Sequence, residues 1–594
     1  MYDEFVEIAD NKAYLNAVKN EIYGPNLELL RRLPTYSSLS EYEATLRQQD
    51  QLTFSNVFHE PIGYYLMKCF LIADYSVDKA VFISDVELYK KMRDPSARLK
   101  VAKLLFERFV AEDGAKFPMG ESVFERRKKK NKNMNKNASF FDEQSDIDEY
   151  SQNKLSLQIG KTNAIGVYGK AVNDVKEKIS KGQAPKNLFD EIAQEVLNDL
   201  RLDVYPRFSS SEFYEKYIRC KSFERGDVTS RDFTMLRVLG RGAFGAVNAC
   251  VKNDTGKLYA AKCIDKRRVM ATDAVDSIMS ERNLLALMDS NFVCCLKYAV
   301  QDNDTLYLML DLMMGGDLKF HLNKEVVFPE QRAKFHAAEI LLGLEHIHSK
   351  SIIYRDMKLE NVLLDERGHC RISDLGLAVM TKDRAKGYAG TPGYTAPEVI
   401  RMLPYDKCCD FFSYGVMIYR FLSGKKPFGA HAGGSDLDKN VLNVQVEFSE
   451  EYFSAAAKSL LTGLMEKDPL LRLGSKGIDE IKQHPWFDSV DWGLLEAGYL
   501  TPPFIPKLDE VNAESMRMMG RPVNDEKYRK VRLTNEFQKS LANLPFKSTT
   551  AVQREIVEVL ERADEGVNFE KFAPKPKPVS TESMIKSQRC CRIS

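Results

Sequence analysis

The sequence predicts an α+β protein in which an all-helical bundle is joined to a two-lobed domain, whose first lobe is rich in strands and whose second is rich in helices. Apolar residues recur at helical spacing over residues 38–118 and again from Leu188 to Lys221. From Phe233 the pattern changes to short strands separated by glycines, and after about residue 315 it becomes helical again. A chain of 594 residues is also too long for one ordinary core, so at least two domains are expected.

Composition and charge exclude several classes of protein. The formal net charge of +1 carries no overall signature of nucleic-acid binding, so electrostatic targeting must come from local clusters. None of the 11 cysteines forms a CxxC pair, and we expect a reduced, cytoplasmic protein. His346 and His348 lack a second ligand cluster and are interpreted as structural histidines. No run of about 18 apolar residues exists that would span a bilayer.

Two stretches define the expected helical bundle. The first carries an apolar stripe formed by Leu99, Ala102, Leu105, Phe106 and Phe109. The second repeats every four residues at Leu188, Ile192 and Val196, as an amphipathic helix does. Ser40 followed by Glu43 has the spacing of a capping box, so Ser40 is the expected N-cap of a helix.

A glycine-rich run opens the strand-rich lobe. Gly240, Gly242, Gly245 and Val247 form the pattern GxGxxGxV, in which glycines let the backbone turn tightly and approach phosphates closely. Dinucleotide-binding folds use a similar run, so the pattern alone is weak. Here it is followed by a strand, a turn and a second strand that ends at Lys262, which is unlike a dinucleotide-binding unit.

Further residues complete the expected nucleotide site. Lys262 would bind the α and β phosphates of a nucleotide, and Glu281 would hold that lysine in place. The apolar run from Leu310 to Met313 would meet an adenine edge through its backbone, although a plain core strand is the alternative. Asp317, beyond a glycine hinge, would meet the ribose.

The segment after residue 350 has the residue types of phosphoryl transfer. Asp356 is the expected base that accepts the proton of an attacking hydroxyl, and Lys358 would offset charge on the transferred group. Asn361 and the Asp374 of a DLG sequence are the expected ligands of Mg²⁺.

A buried ion pair is expected in the same lobe. Glu398, in an APE sequence, needs a cation if it is buried, and Arg472 is the candidate.

The segment just before the sequence from Gly390 to Tyr394, which is the expected activation segment, has no Ser or Thr that could be phosphorylated. No Ser or Thr lies between Arg384 and Ala389, just before the sequence from Gly390 to Tyr394. The catalytic loop also begins with Tyr354, where an imidazole is usual. Both features predict control by docking to another molecule rather than by phosphorylation of this segment.

These motifs resemble those of the AGC group of protein kinases, and within it the G-protein-coupled receptor kinases. The resemblance rests on the sequences beginning at Tyr354, Asp374 and Gly390, and it covers nearly the whole chain. It implies a bilobal protein kinase fold joined to an all-α RGS-homology helical bundle. The implied divisions are a receptor-docking helix at 1–20, an RGS-homology domain at 39–175, its terminal helices and a linker at 176–232, a kinase domain at 233–487, an AGC-type tail at 488–553 and a membrane-targeting region at 554–594. Leu359 replaces the family's usual Pro, which leaves the peptide preference open.

The resemblance also implies an activity. It is ATP- and Mg²⁺-dependent phosphorylation of cytoplasmic Ser and Thr residues on agonist-activated G-protein-coupled receptors, which promotes desensitisation. The implied ATP-binding residues are Leu239, Gly240, Gly242, Gly245, Val247, Ala260, Lys262, Glu281, Leu310, Asp311, Met313, Asp317 and Leu363. A kinase for soluble proteins and a signalling scaffold that acts through the helical domain are the alternatives.

Membrane attachment is expected from two segments. The C-terminal sequence fits a C-a-a-X motif, which predicts prenylation of Cys591. The neighbouring Cys590 is a candidate for palmitoylation, which would supply the second signal that one lipid chain needs. The basic run from Arg126 to Lys136 lies in an insertion, residues 121–155, that is predicted to be disordered; it would contact anionic lipids or simply be solvated. We expect a cytoplasmic protein that is peripheral at the plasma membrane and binds no nucleic acid. Without a pleckstrin-homology domain it would not recruit Gβγ by that route, and binding of a G-protein α subunit stays open.

Overall fold

A computed structural model describes residues 28–74, 76–92, 95–111, 165–242, 244–429, 434–507, 512, 528 and 530–564. The expected docking helix at 1–20, the insertion at 121–155 and the lipidation sites Cys590 and Cys591 lie outside these residues. One compact unit contains Leu33–Lys90 and Pro95–Ser222 together with the chain from Ile556, and the other is built mainly from Phe223–Glu555. Within the described ranges, no helix combines the length and the apolar character needed to cross a bilayer.

The first unit is helical, as its sequence pattern predicts. Its helices are Ser40–Gln48, Phe54–His59, Pro61–Ala73, Asp78–Lys91, Pro95–Leu105, Lys170–Ser180, Asp190–Asp199, Tyr205–Phe208 and Glu212–Lys221, with π-helical turns at Phe106–Val110 and Leu200–Val204. Phe82 lies at its centre and makes edge-on contacts with Phe109 and Phe189, at centroid distances of 5.6 and 6.0 Å. All three rings are fully buried, so they anchor the core of this unit.

Two of the predicted helix patterns are confirmed, and one helix start is wrong. Apart from half-buried Leu99, both apolar repeats point into the core. Ser40, however, is the first helical residue rather than the cap; the capping position belongs to Leu39, whose side chain makes no capping bond. Glu43 accepts hydrogen bonds from Tyr36 and Arg47 instead, both at 2.6 Å, because a charged and a phenolic donor compete successfully with the backbone amide.

The small lobe of the second unit is built on an antiparallel sheet. Its strands in chain order are β1 (Phe233–Gly242), β2 (Gly245–Lys252), β3 (Leu258–Asp265), β4 (Leu296–Gln301) and β5 (Thr305–Asp311). Helices Lys266–Ala271 and Val275–Ala286 lie between β3 and β4 in the chain. Pairing places β3 in the middle of the sheet, so that Lys262 projects from a strand with a neighbour on each side.

The large lobe is mainly helical and carries the catalytic segment on short strands. These strands are β6 (Gly316–Asp317), β7 (Ile352–Ile353), β8 (Val362–Leu364), β9 (Cys370–Ile372) and β10 (Val379–Met380), and the helices are Leu318–Glu325, Glu330–Ser349, Pro397–Ile400, Cys408–Ser423, Gly434–Asn443, Ala455–Leu464, Ile478–Lys482 and Trp492–Glu496. Helix Cys408–Ser423 is buried along almost its whole length, because apolar residues occupy every side of it. This helix contacts the catalytic loop through Asp410, which accepts hydrogen bonds from backbone amides of the loop.

The described residues after position 500 pack back on both lobes. The backbone oxygen of Phe504 lies so close to Gly368 that a Cβ there would be 1.9 Å away, and the Phe504 ring stacks 3.6 Å from the guanidinium of Arg332. Beyond helix Asn535–Ser540, residues Phe546–Lys547 form β11, which adds a sixth strand beside β4.

The last helix of the described residues, Thr549–Asp564, follows β11. The predicted division between 553 and 554 therefore falls inside a helix. The buried carboxylate of Glu555 accepts hydrogen bonds from the hydroxyls of Tyr259 and Tyr298, the latter at 2.6 Å, so the start of this helix is fixed to the small-lobe sheet.

Candidate active site

The glycine-rich turn joins β1 and β2 and is shaped by close backbone approach. Gly242 pairs with Gly245 at the end of the ladder. A Cβ on Gly245 would lie 1.9 Å from the carbonyl oxygen of Cys263, so only glycine fits between these strands. Cβ atoms on Gly240 and Gly242 would meet no atom of the described structure within 4 Å. The open side of these two glycines is where phosphates can approach the backbone.

The residues predicted to surround the nucleotide base come from neighbouring strands. Across the sheet Ala260 of β3 pairs with Leu310 of β5, and Val247 of β2 pairs with Lys262. In the large lobe Leu363 of β8 pairs with Asp317 of β6. Leu239 and Met313 complete the predicted set; Met313 is buried, whereas Leu239 is half-buried.

Asp311 and Asp317, two of the residues predicted to contact the nucleotide, make hydrogen bonds within the protein through their side chains. Asp311 accepts a hydrogen bond from the backbone amide of Cys295 at 2.9 Å and pairs with Lys297 and Arg371 at 3.0 and 3.1 Å. Burial favours the neutral acid, but the two cations outweigh it and lower the pKa of Asp311. Only the backbone of Asp311 is therefore suited to meet an adenine edge. Asp317 caps helix Leu318–Glu325 by accepting from the amide of Phe320 at 2.8 Å.

Lys262 forms the predicted ion pair. Its Nζ lies 2.5 Å from Oε1 of Glu281, which comes from helix Val275–Ala286, and 3.5 Å from Oδ1 of Asp374. Burial opposes the charge on Lys262, but these two carboxylates outweigh it, so its pKa is raised. The ammonium is thus held charged at the meeting point of the two lobes.

The catalytic loop converges on Asp356. Lys358 Nζ lies 2.7 Å from Oδ2 of Asp356, and the side-chain amide of Asn361 donates to the same oxygen at 2.9 Å. Thr391 donates its hydroxyl to Oδ1 at 2.6 Å and also lies 3.2 Å from Lys358. The Thr391 hydroxyl at Oδ1 occupies the position that the hydroxyl of a substrate would take beside its base. The Lys358 ammonium at Oδ2 is a cation that can offset the negative charge of a phosphoryl group.

Thr391 and Asp410 belong to the site but were not predicted from the sequence. Asp410 accepts from the backbone amides of Tyr354 and Arg355, at 2.9 and 2.7 Å, and pairs with His348 at 2.8 Å. Arg355 has a φ of 71°, a strained value for a side-chain-bearing residue, and these bonds hold it there. The GTPGY sequence was the only signal for Thr391, and the spacing within the loop gave none for Asp410.

Asn361 and Asp374, the two expected metal ligands, are held together through Ser373. The amide of Ser373 donates to the backbone oxygen of Asn361 at 2.8 Å, and its hydroxyl donates to the same oxygen at 3.0 Å. Asp374 has a φ of 54° and accepts from the amide of Gly376 at 3.1 Å. An amide oxygen and a carboxylate are hard oxygen donors that suit Mg²⁺, so the residues present fit a divalent cation.

Glu398 and Arg472 form the predicted buried pair. The two guanidinium nitrogens lie 2.6 and 2.8 Å from the two carboxylate oxygens, and both side chains are almost fully buried. Arg472 also donates to the backbone oxygen of Cys408 and lies 5.2 Å from the ring of Phe412. The prediction of this pair is confirmed.

Tyr354 fixes the backbone before Asp374, which gives a testable prediction. Its hydroxyl donates to the carbonyl oxygen of Ser373 at 2.6 Å, and burial raises its pKa well above the usual range, so it stays a donor. Tyr354→Phe would leave a buried carbonyl unpaired, at a cost of about 1–3 kcal/mol. We expect kcat on a peptide substrate to fall by roughly tenfold. Tyr388→Phe is the matched control, because Tyr388 bonds to Asp438 at the surface; equal losses in both variants would contradict the assigned role.

Comparison with known proteins agrees with this geometry. A family model described as "Protein kinase domain" matches residues 233–487, and one described as "Regulator of G protein signaling domain" matches residues 157–217. The second match overlaps the predicted 39–175 domain only from residue 157 onward. The fold and the site define a protein kinase.

Curated relatives identify the family. The chain is 34% identical over 529 residues to "G protein-coupled receptor kinase 2" of Caenorhabditis elegans, covering 86% of this chain and 68% of the relative. It is 32% identical to "Beta-adrenergic receptor kinase 1" of Rattus norvegicus and 31% identical to that of Homo sapiens, covering 92% of this chain and 75% of each relative. The chain belongs to the G-protein-coupled receptor kinase family and is a Ser/Thr protein kinase of that type.

Proposed function

We propose that this kinase uses ATP to phosphorylate Ser and Thr residues on the cytoplasmic side of activated G-protein-coupled receptors, which promotes their desensitisation. The observation that carries the proposal is the convergence of Lys358, Asn361 and Thr391 on Asp356, within the same unit as the Lys262–Glu281 pair. The names of the relatives, which are kinases of G-protein-coupled and β-adrenergic receptors, supply the substrate class.

Each residue has a separate part in the transfer. The hydroxyl of the substrate replaces that of Thr391 at Asp356, which accepts its proton as the hydroxyl oxygen bonds to the γ-phosphorus of ATP. The bond from that phosphorus to the β,γ-bridging oxygen breaks, and ADP leaves. The ammonium group of Lys358 leaves Asp356 and contacts the transferred phosphoryl group. Lys262 orients the α and β phosphates. Mg²⁺ held by Asn361 and Asp374 would supply neutralisation of phosphate charge.

The test is phosphate transfer to a purified, membrane-reconstituted receptor with and without agonist. Wild type should incorporate phosphate mainly with agonist, and Lys262→Arg should lose nearly all transfer while remaining folded. If phosphate transfer to the receptor does not depend on agonist, while soluble proteins are phosphorylated, the result would instead favour a kinase for soluble substrates. No transfer by wild type to any substrate would favour a scaffold role.

We also propose that no phosphate on the activation segment is needed for activity. Arg355 already donates to the carbonyl oxygen of Leu377 at 2.6 Å and to the hydroxyl of Tyr405 at 3.1 Å, so its guanidinium is occupied without a phosphate. Treatment of the purified kinase with a broad phosphatase should leave peptide kcat unchanged within about twofold. Loss of most activity, restored by incubation with ATP, would contradict this expectation.

Two further partners are proposed. The match to the Regulator of G protein signaling domain supports binding of a G-protein α subunit by the helical unit, which affinity capture with nucleotide-loaded α subunits would test. Peripheral attachment to the plasma membrane is proposed from Cys590, Cys591 and the basic run from Arg126 to Lys136. Intact mass measurement of protein from eukaryotic cells would reveal a prenyl or palmitoyl addition, and an unmodified terminus would reject the lipid anchor.

A further inference from the structure

Three buried side chains of the large lobe carry metal-binding atoms and have no part in the steps above. His336 and Glu339 lie one turn apart on helix Glu330–Ser349, and Cys370 is the first residue of β9. Each offers one ligand atom, and the three atoms lie within 4.8 Å of one another. All three residues are fully buried. They are called the buried cluster below.

The separations within the buried cluster are close to those of a tetrahedral zinc site. Cys370 Sγ lies 3.6 Å from Nδ1 of His336 and 3.2 Å from Oε2 of Glu339. Zinc binds sulfur at about 2.3 Å and nitrogen or oxygen at about 2.0–2.2 Å, so neighbouring ligand atoms of a tetrahedron are about 3.3–3.6 Å apart. The nitrogen and oxygen ligands are at most 4.8 Å apart, and a rotation of either side chain would complete the set.

The buried cluster also has the outer contacts that orient metal ligands. Oε1 of Glu339 lies 2.6 Å from Nδ1 of His369. Oε2 of Glu339, the oxygen beside the thiol, accepts a hydrogen bond from the backbone amide of Cys370 at 2.8 Å. Ligating carboxylates are generally held by such outer hydrogen bonds. The direction of the carboxylate is therefore fixed by the protein itself.

The charges of the buried cluster would balance those of a divalent ion. Burial, reinforced by Arg332, lowers the pKa of His336 well below its usual range, so the imidazole is neutral, as a ligand must be. Burial and the neighbouring Glu339 raise the pKa of the Cys370 thiol, which keeps its proton until a metal displaces it. One thiolate and one carboxylate then cancel the two positive charges of the ion.

One existing contact must open when a metal binds. Nε of Arg332 donates to Nε2 of His336 at 3.2 Å. A metal on Nδ1 leaves the imidazole proton on Nε2, which can then no longer accept this bond. Arg332 keeps its two contacts with Glu325, both at 2.7 Å, and its guanidinium carbon lies 3.6 Å from the ring centroid of Phe504. Its charge therefore stays compensated after that bond is lost.

We propose that His336, Glu339 and Cys370 form a structural zinc site in the large lobe. A thiolate and an imidazole select Zn²⁺ over Mg²⁺, which prefers oxygen ligands. A water molecule or the second oxygen of Glu339 would supply the fourth ligand. Full burial leaves no position for a substrate, so the ion would be taken up as the chain folds and would link helix Glu330–Ser349 to β9.

Metal analysis of the full-length chain tests the site. The protein is produced without a polyhistidine tag in zinc-supplemented medium, treated with a chelator to remove ions from exposed positions, and analysed by plasma mass spectrometry. We expect about one zinc ion per wild-type chain. Zinc-edge X-ray absorption should show one sulfur neighbour at about 2.3 Å and three nitrogen or oxygen neighbours at about 2.0–2.2 Å.

Variants assign the ion to the buried cluster. Cys370→Val removes the sulfur, keeps an apolar side chain and should lower the zinc content at least about tenfold, since even the loss of an outer contact costs that much affinity. His336→Phe should do the same and keeps the test open if the first variant does not fold. Cys220→Ala is the control, because Cys220 is a buried thiol of the helical unit whose charged neighbours are cations; it should keep the full zinc content.

Three results would each overturn the zinc site. They are a wild-type chain that holds almost no zinc, a zinc content that is the same in wild type and in both variants, and an absorption spectrum without a sulfur neighbour. None of them would touch the proposed kinase function, because no residue of the buried cluster takes part in phosphoryl transfer.

Discussion

Asp356→Asn is expected to lower kcat for phosphate transfer by roughly 1,000-fold, within the range of about 10²–10⁴ that a positioned base contributes. The carboxylate has hydrogen-bond or ion-pair contacts with Thr391, Lys358 and Asn361. An amide presents an NH₂ group to some of these donors and cannot accept the proton. Steady-state kinetics on receptor and on peptide measure the loss. The KM for ATP should change little, because Lys262 and Glu281 are untouched.

Asp488→Asn is the control for this experiment. Asp488 is an exposed aspartate of the same unit, and we expect its variant to keep kcat within about twofold. A loss below tenfold in Asp356→Asn, with thermal stability like that of wild type, would show that Asp356 is not the base.

The largest expected effect on stability comes from Glu398. Glu398→Ala would leave the Arg472 guanidinium buried without its carboxylate partner, and breaking such a pair costs about 3–5 kcal/mol. At about 2–4 °C per kcal/mol for a domain of this size, the kinase transition should fall by roughly 10 °C. Differential scanning calorimetry measures it.

Two comparisons sharpen this prediction. Glu177→Gln removes an exposed pair with Lys181 and should leave the transition unchanged. Glu398→Leu combined with Arg472→Met should recover much of the loss, since apolar replacement of a whole buried pair is often neutral. A shift of less than about 2 °C in Glu398→Ala would contradict the account of this pair.

Local motifs allowed the sequence to predict much of the site. Lys262, Asp356, Asn361 and Asp374 sit in short patterns whose spacing carries their chemistry, and the structure brings them together. The pairing of Glu398 with a distant cation was predictable because a buried carboxylate demands one.

Features that depend on long-range contacts were not predictable in this way. Thr391 and Asp410 reach the loop through tertiary packing. The GTPGY sequence singles out the segment around Thr391 but not its contact with Asp356, and nothing near Asp410 in the sequence marks its contact with the loop. β11 has only two residues, Phe546–Lys547, and forms because it can pair with β4, which would otherwise be the edge strand of the sheet. The last described helix, Thr549–Asp564, is fixed by Glu555, whose partners Tyr259 and Tyr298 lie 296 and 257 residues earlier. The predicted capping box at Ser40 is absent because Glu43 accepts hydrogen bonds from Tyr36 and Arg47, which are stronger donors than the backbone amide.

The geometry also refines the docking hypothesis. The Lys262–Glu281 pair and the contact of Lys262 with Asp374 are present in the described chain itself. Receptor docking therefore need not create these pairs. It is expected to raise the population of the assembled state or to bring substrate to Asp356.

The most direct test of this account uses an agonist-occupied receptor whose phosphorylatable residues are all replaced by Ala, added in trans. The quantity measured is kcat/KM for a separate receptor-tail peptide, with and without that receptor, for wild type and for a variant lacking residues 2–18. We predict that the activated receptor raises peptide phosphorylation by wild type at least tenfold and has no effect on the truncated variant. Peptide phosphorylation that is unchanged by the activated receptor would contradict control by docking.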